Sequence, residues 1–156
     1  MASAGAVRME DLLNDLYQHA QVGRSREDFK TVEMDRVVKD VLHDLSVSIK
    51  ETGAKVVTEP LPVIKGYQTE LRMLLQNLIS NGIKFTQPGT QPKVLVRGGE
   101  ENGHWFIEVA DQGIGIPEAY QEKIFGIFER LHSRDEFPGS GIGLATCQKV
   151  VNHHGG

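Results

Sequence analysis

The sequence predicts an α+β fold: a two-layer sandwich with helices over one face of a mixed sheet. Three observations carry this. Helical and strand-like segments follow one another in mixed order, without the strict strand–helix alternation of a parallel α/β sheet. Tyr67 to Phe85 reads as a helix with a broad apolar stripe of Leu71, Leu74, Leu75, Leu78, Ile79 and Ile83. Downstream, Lys93 to Arg97 and His104 to Ala110 read as two strands, and in the second Trp105, Ile107 and Val109 alternate with Phe106, Glu108 and Ala110.

The other elements follow in order. Residues 7–22 form a helix with Val7, Leu12, Leu13, Leu16 and Tyr17 on one face, broken at Gly23. Glu33 to Glu51 forms a second helix, with Val37, Val38, Val41, Leu42, Leu45 and Ile49 in register and Gly53 just past its end. Lys55 to Thr58 is a strand, Pro60 to Pro62 a turn or edge, and Val63-Ile64 a short strand. Gln87 to Gly89 stops the long helix, and Gly98 to Gly103 is a turn between the paired strands. Glu118 to Leu131 is helical in part, His132 to Ser140 is a polar loop, and Ile142 to Asn152 is the last helix.

Composition narrows the function classes. The 156 residues, 39% of them hydrophobic, suit one ordinary domain with a short appendage. A net charge of -4 and a pI of about 5.9 give no electrostatic footprint for nucleic acid. No run approaches the ~18 apolar residues of a membrane span, and the first residues lack the pattern of a signal peptide. Cys147 is the sole cysteine, which excludes an internal disulfide and points to a reducing, cytoplasmic setting.

Four short blocks, in a fixed order between Leu74 and Leu144, carry the chemistry of an ATP site. Asn77, Asn81 and Lys84 lie on one side of the long helix at spacings of four and three, away from the leucine stripe. A carboxamide oxygen is a hard neutral ligand that suits Mg²⁺, and an ammonium neutralises phosphate. The same triplet also fits a plain solvated face. Gly82 beside it weakens the helix by roughly 1 kcal/mol against Ala, which favours close packing or ligand approach. Asp111 follows a strand directly, where a carboxylate can accept from the exocyclic amine of adenine. Gly113 and Gly115 admit close backbone approach, with Ile114 and Ile116 as apolar contacts; an ordinary turn is the alternative.

Phe125, Phe128 and Leu131 form a helical stripe that suits lid or core packing better than ligand contact, whereas Arg130 can bind a phosphate oxygen. Gly139, Ser140, Gly141 and Gly143 precede the apolar start of a helix at Leu144, where backbone N–H groups can hold phosphates. The preceding strand and later acidic residue of a dinucleotide fold are missing, and no P-loop is present. Residues 117–140 would then form a lid.

Together these blocks resemble the N, G1, F and G2 boxes of the ATP-binding domain of sensor histidine kinases, in the GHKL superfamily with gyrase, Hsp90 and MutL. Gln76 to Phe85 and Phe128 to Leu144 are similar in particular to phytochrome-like and related PAS-linked kinases. The resemblance covers roughly residues 33–156 and implies the Bergerat (GHKL) ATP-binding fold. It implies Asn81 as the Mg²⁺ ligand, Asn77, Lys84 and Arg130 on the phosphates with catalytic roles, and Asp111 on the adenine amine. Gly113, Gly115, Ile116, Phe128, Gly139, Ser140, Gly141, Gly143 and Leu144 would complete the ATP-binding surface. Hydrolases of the superfamily carry a glutamate where Asn77 stands, and asparagine cannot act as a general base, so phosphoryl transfer to protein is favoured over hydrolysis.

The resemblance also marks what is absent. No histidine fits the family's phosphoacceptor motif: His19 closes the first helix, His43-Asp44 lies within the ATP-binding part, and His153 and His154 end the last helix. Residues 1–24 resemble part of the second helix of the dimerisation hairpin, and residues 25–156 the catalytic domain without its last strands, as expected of a fragment. The expected partners are ATP with Mg²⁺, a phosphoacceptor histidine helix supplied elsewhere, and a response-regulator receiver domain. A homodimer through the dimerisation helices is possible; nucleic acid and a membrane span are not expected. The alternative reading is a nucleotide-binding or partner-docking module without kinase activity. A GHKL ATPase or a serine/threonine kinase of this fold is a third option, and Asn77 argues against the ATPase.

Overall fold

The leucine stripe is the spine of the core. Helix α4 (Gln68–Lys84) buries Leu71, Leu75, Ile79 and Ile83, every fourth residue along one face. Helix α2 (Met34–Asp44) buries Met34, Val37, Val38 and Val41 against the same core cluster. The opposing layer is a three-stranded sheet of β2 (Lys55–Thr58), β4 (Lys93–Glu101) and β5 (His104–Asp111), in the order β2-β4-β5. Strands β2 and β4 run parallel from Lys55↔Lys93 to Thr58↔Val96, and β4 and β5 run antiparallel from Val94↔Asp111 to Glu101↔His104. The period of two sends Val56, Val94, Val96, Ile107 and Val109 to the helix side. Full burial of Val94 and Val96 contributes about 1.5–3 kcal/mol each, and the partly buried Val56, Ile107 and Val109 less. This is the predicted α+β sandwich with a mixed sheet.

The structure described here is a computed structural model covering residues 4–24, 26–116, 118–121, 125 and 142–156. They group into two compact units, Glu27–Gly115 and Met1–Arg26 with Ile116–Gly156.

Within the first unit three local expectations change. The helix expected over Glu33 to Glu51 is two helices, α2 and α3 (Ser46–Thr52), interrupted at Leu45 (ψ 6°). The second half buries no residue fully and keeps only half-buried Leu45 and Ile49 on the core, with Val47 exposed, and Ser46 and Ser48 are weak helix formers. Gly98 to Gly103 is not all turn: β4 runs on to Glu101, and the reversal is the pair Asn102-Gly103, both with positive φ. A Cβ on Gly98 would lie 2.8 Å from the Pro62 ring and 2.9 Å from the Phe106 carbonyl oxygen, so this glycine admits close neighbours within the strand. Strand β1 (Lys30–Glu33), absent from the sequence reading, pairs antiparallel with β3 (Val63–Gly66) in a second small sheet.

Contacts distant in sequence fix α4. Both carboxylate oxygens of Glu27 accept from the Thr69 N–H, at 3.1 and 3.0 Å, and so cap a helix whose own N-cap, Tyr67, supplies no side-chain bond. Arg72 of α4 pairs with Asp44 at the end of α2.

In the second unit, α1 (Ala4–Gln21) packs along α5 (Gly143–His153). Lys149 Nζ donates to the His19 carbonyl at 2.8 Å. The Thr146 hydroxyl donates to the Ile142 carbonyl at 3.2 Å, so it accepts from His19 Nδ1 at 3.3 Å. Of the apolar face predicted for α1, Leu12 and Leu16 are half-buried, while Val7, Leu13 and Tyr17 are exposed. Of the segment expected to be helical in part over Glu118 to Leu131, residues 118–121 and 125 are described, and Glu118–Tyr120 form a one-turn helix. Among the described residues no helix is long and apolar enough to cross a membrane.

Candidate ATP-binding site

The end of α4 and the turn after β5 are built against each other by missing side chains. Gly82 faces the sheet, and a Cβ there would lie 3.0 Å from Val94 Cγ2 and 3.3 Å from Asp111 Cβ. A methyl there would need Val94 and Asp111 to give by a few tenths of an ångström, so the glycine lets the helix sit close on the strand end that carries Asp111. Gly113 is tighter still, since a Cβ there would lie 2.4 Å from the Phe85 carbonyl oxygen. That carbonyl accepts the Ile114 N–H at 2.9 Å, which ties the turn to the residue that ends α4. The Gln112 N–H donates to the Lys93 carbonyl at 3.3 Å, holding the other side of the turn on β4.

Asp111 is exposed at the end of β5, and its Oδ1 accepts the Gly113 N–H at 2.8 Å. The carboxylate is oriented by its own turn, an Asx-type closure, and Oδ2 makes no hydrogen bond among the described residues. A fixed carboxylate with one unengaged oxygen is an acceptor poised for an exocyclic amine.

Asn77, Asn81 and Lys84 lie on the face of α4 opposite the buried stripe, and all three are half-buried. Neither carboxamide makes a side-chain hydrogen bond among the described residues, and neither is a buried unsatisfied group, so both remain open to solvent. Such groups lose little on accepting a ligand, and their oxygens are of the kind Mg²⁺ takes.

The first unit thus brings Asn77, Asn81, Lys84, Asp111 and Gly113 onto one helix and the turn docked at its end, with Gly115 (φ 76°) exposed at the turn's far side. Ile116 is 41% exposed, and Gly143 and Leu144 open α5; all three belong to the second unit. Phe128, Arg130, Gly139, Ser140 and Gly141 lie outside the described residues. Sequence reasoning missed the Phe85 carbonyl, which anchors the turn, and Glu27, which caps α4. No local pattern marks a cap 42 residues from the helix it serves.

Residues 66–156 match the family described as histidine kinase-, DNA gyrase B- and HSP90-like ATPase, more than half of the chain. The chain belongs to this family. It is 37% identical over 155 residues to the phytochrome-like protein Cph1 of Synechocystis sp., which is 99% of this chain and 21% of that protein. Full-length ShkA, solved in complex with AMPPNP, superposes with a TM-score of 0.74 at 27% identity, over 92% of this chain and 30% of that one. The mycobacterial sensor histidine kinase MprB gives a TM-score of 0.66 at 29% identity, over 82% of this chain and 81% of that one. The chain spans about a fifth of the length of the curated relatives it matches. It is an ATP-binding catalytic domain of the sensor histidine kinase kind.

Proposed function

We propose that this ATP-binding domain holds ATP with Mg²⁺ at the end of α4 and the β5 turn and donates the γ-phosphoryl group to a protein histidine. The single observation that carries the reading is Asp111: its carboxylate is held by the Gly113 N–H, beside a helix whose carboxamides are unengaged. In this reading Asp111 Oδ2 accepts from the adenine amine and selects the base. Asn81 ligates Mg²⁺, while Asn77, Lys84 and Arg130 position and neutralise the phosphates. Gly113, Gly115 and Ile116 pass along the nucleotide. Phe128, Gly139, Ser140, Gly141, Gly143 and Leu144 belong to the lid and its hinge. When bound, Mg²⁺ supplies charge neutralisation across the phosphate oxygens.

Asn77 stands where a hydrolase of the superfamily would need a carboxylate, and a carboxamide is not a base for water. The nucleophile is therefore an imidazole nitrogen brought in line by a separate phosphoacceptor helix, with positioning and cationic side chains stabilising the transfer. A receiver-domain aspartate would take the phosphoryl group next. Residues 1–24 would belong to a dimerising hairpin and residues 25–156 to the catalytic domain, and the lone cysteine supports a reducing, cytoplasmic setting.

The test is titration calorimetry of ATP·Mg²⁺ into the chain, into Asp111→Ala and into Asn81→Ala. The parent binds, Asp111→Ala does not bind measurably, and Asn81→Ala binds more weakly and with less dependence on Mg²⁺. Equal binding by all three variants would place the nucleotide elsewhere.

A further inference from the structure

The three-stranded sheet has a second face, away from α2 and α4, that the nucleotide reading does not use. The strand register places Lys55 beside Lys93, Val57 beside Leu95, and Leu95 beside Ala110 on that face. These residues line an open groove of about 450 Å³, with Asp111 at its end. Val57 is 44% exposed, and Leu95 and Ala110 are half-buried. Val57 lies on the edge strand β2, and with Leu95 and Ala110 on the neighbouring strands it makes a continuous apolar strip across the three strands.

The charges at the groove's end are more informative. Lys55 and Lys93 are both exposed and stand directly opposite one another on neighbouring strands, about 4.8 Å apart at the backbone. Like charges in that position repel. Neither lysine makes an ion pair among the described residues, in a chain whose net charge is -4. By contrast, the next cation on the same face, Arg97, is held by Glu108 at 2.8 Å. The unneutralised pair therefore sits at one end of the apolar strip, with a self-neutralised pair at the other. Asp111 also lines the groove's end, with one carboxylate oxygen engaged by the Gly113 N–H, so the groove carries two lysines against one carboxylate.

We propose that this outer face docks an acidic segment of a protein partner, with carboxylates meeting Lys55 and Lys93 and an apolar side chain seated on Val57, Leu95 and Ala110. The apolar strip selects a peptide over a bare polyanion, and two lysines are too few to hold nucleic acid by phosphate contacts alone. Lys55, Lys93, Val57, Leu95 and Ala110 have no role in the nucleotide reading, which shares only Asp111 at the groove's end.

The experiment is NMR titration of the isotope-labelled 156-residue chain with a synthetic peptide of alternating Glu and Leu. Its Lys/Leu counterpart, poly-glutamate, an oligonucleotide and anionic vesicles serve as parallel probes. The Glu/Leu peptide shifts the signals of Val57, Leu95 and Ala110 first. The exposed double variant Lys55→Glu/Lys93→Glu, whose fold is checked by its thermal melt, weakens that binding by about tenfold or more. Val57→Asp weakens it while leaving ATP binding unchanged. Shifts centred elsewhere, equal binding by poly-glutamate, equal binding by the Lys/Leu peptide, or preference for the oligonucleotide or the vesicles would each overturn the proposal.

Discussion

The two compact units differ in how their contacts are spread along the chain. In the unit of residues 27–115, α2, α4 and the sheet are contiguous in sequence and share one core in which Met34, Val41, Ile79 and Val96 are fully buried. In the other, α1 and α5 come from opposite ends of the chain, and the bond from His19 to Thr146 spans 127 residues. The first unit carries its site on rigid packed elements. Among the described residues, the second joins two distant helices through polar bonds and the buried Val22, Ile142, Ala145, Cys147 and Val150. The charge chemistry legible at this site therefore sits on the unit with the deep core, where half an ångström of misplacement is resisted by packing.

The sharpest way to break this contrast is in the core. Ile79→Ala leaves a cavity beneath α4 and should destabilise the chain by about 3 kcal/mol, read as a lower urea midpoint at unchanged slope. An equally large effect of Leu13→Ala, on exposed α1, would contradict the asymmetry.

At the site the expected effects are on ligand rather than fold. Gly113→Ala places a methyl against the Phe85 carbonyl oxygen, and should displace the turn and weaken ATP binding by about tenfold or more for about 1–2 kcal/mol of stability. Calorimetry beside a urea melt separates the two effects.

The cap is smaller. Glu27→Gln keeps an acceptor but removes the charge at the α4 N-terminus, and should cost about 0.5–1 kcal/mol; Glu27→Ala should cost about 1 kcal/mol. Hydrogen exchange at Thr69 would rise in both variants.

The smallest effect concerns the polar seam of the second unit. Burial, aided by the Lys149 charge, holds the His19 imidazole below its ordinary value of 6.5. The neutral ring is the form favoured when α1 lies along α5. The seam is therefore fully formed above pH 6.5 and weakens as pH falls and the ring is protonated. Exchange protection in α1 followed from pH 7.5 to 5 checks this, and His19→Gln should flatten the dependence. Cys147, whose thiol burial pushes up to about 12, contributes no titration in this range.

How much was legible follows from where each signal lies. The α4 stripe, the strand pair and the Asp-Gly turn are local patterns, and each appears where it was expected. Strand β1 was invisible because four residues acquire strand character only by pairing with β3, about 30 residues on. Gly98 and Gly99 imitated a turn because a glycine needed for close packing looks the same in sequence as one needed for a left-handed backbone. The break at Leu45 has no glycine or proline to announce it, and the apolar spacing runs through it, since Leu45 and Ile49 still pack on the core. At the site, residue types were readable, but the reason Gly113 must be glycine, and the close approach that Gly82 allows, emerged only from the atoms they face.

The most direct test of the central claim compares ATP with inosine triphosphate, whose ring carries an oxygen in place of the exocyclic amine. If Asp111 reads that amine, the parent should bind inosine triphosphate about thirtyfold more weakly than ATP, the worth of a hydrogen bond to a charged group. Asp111→Asn should lose most of that discrimination. Equal affinities for the two nucleotides in the parent would contradict the assignment of Asp111, and with it the placement of the base at the end of β5.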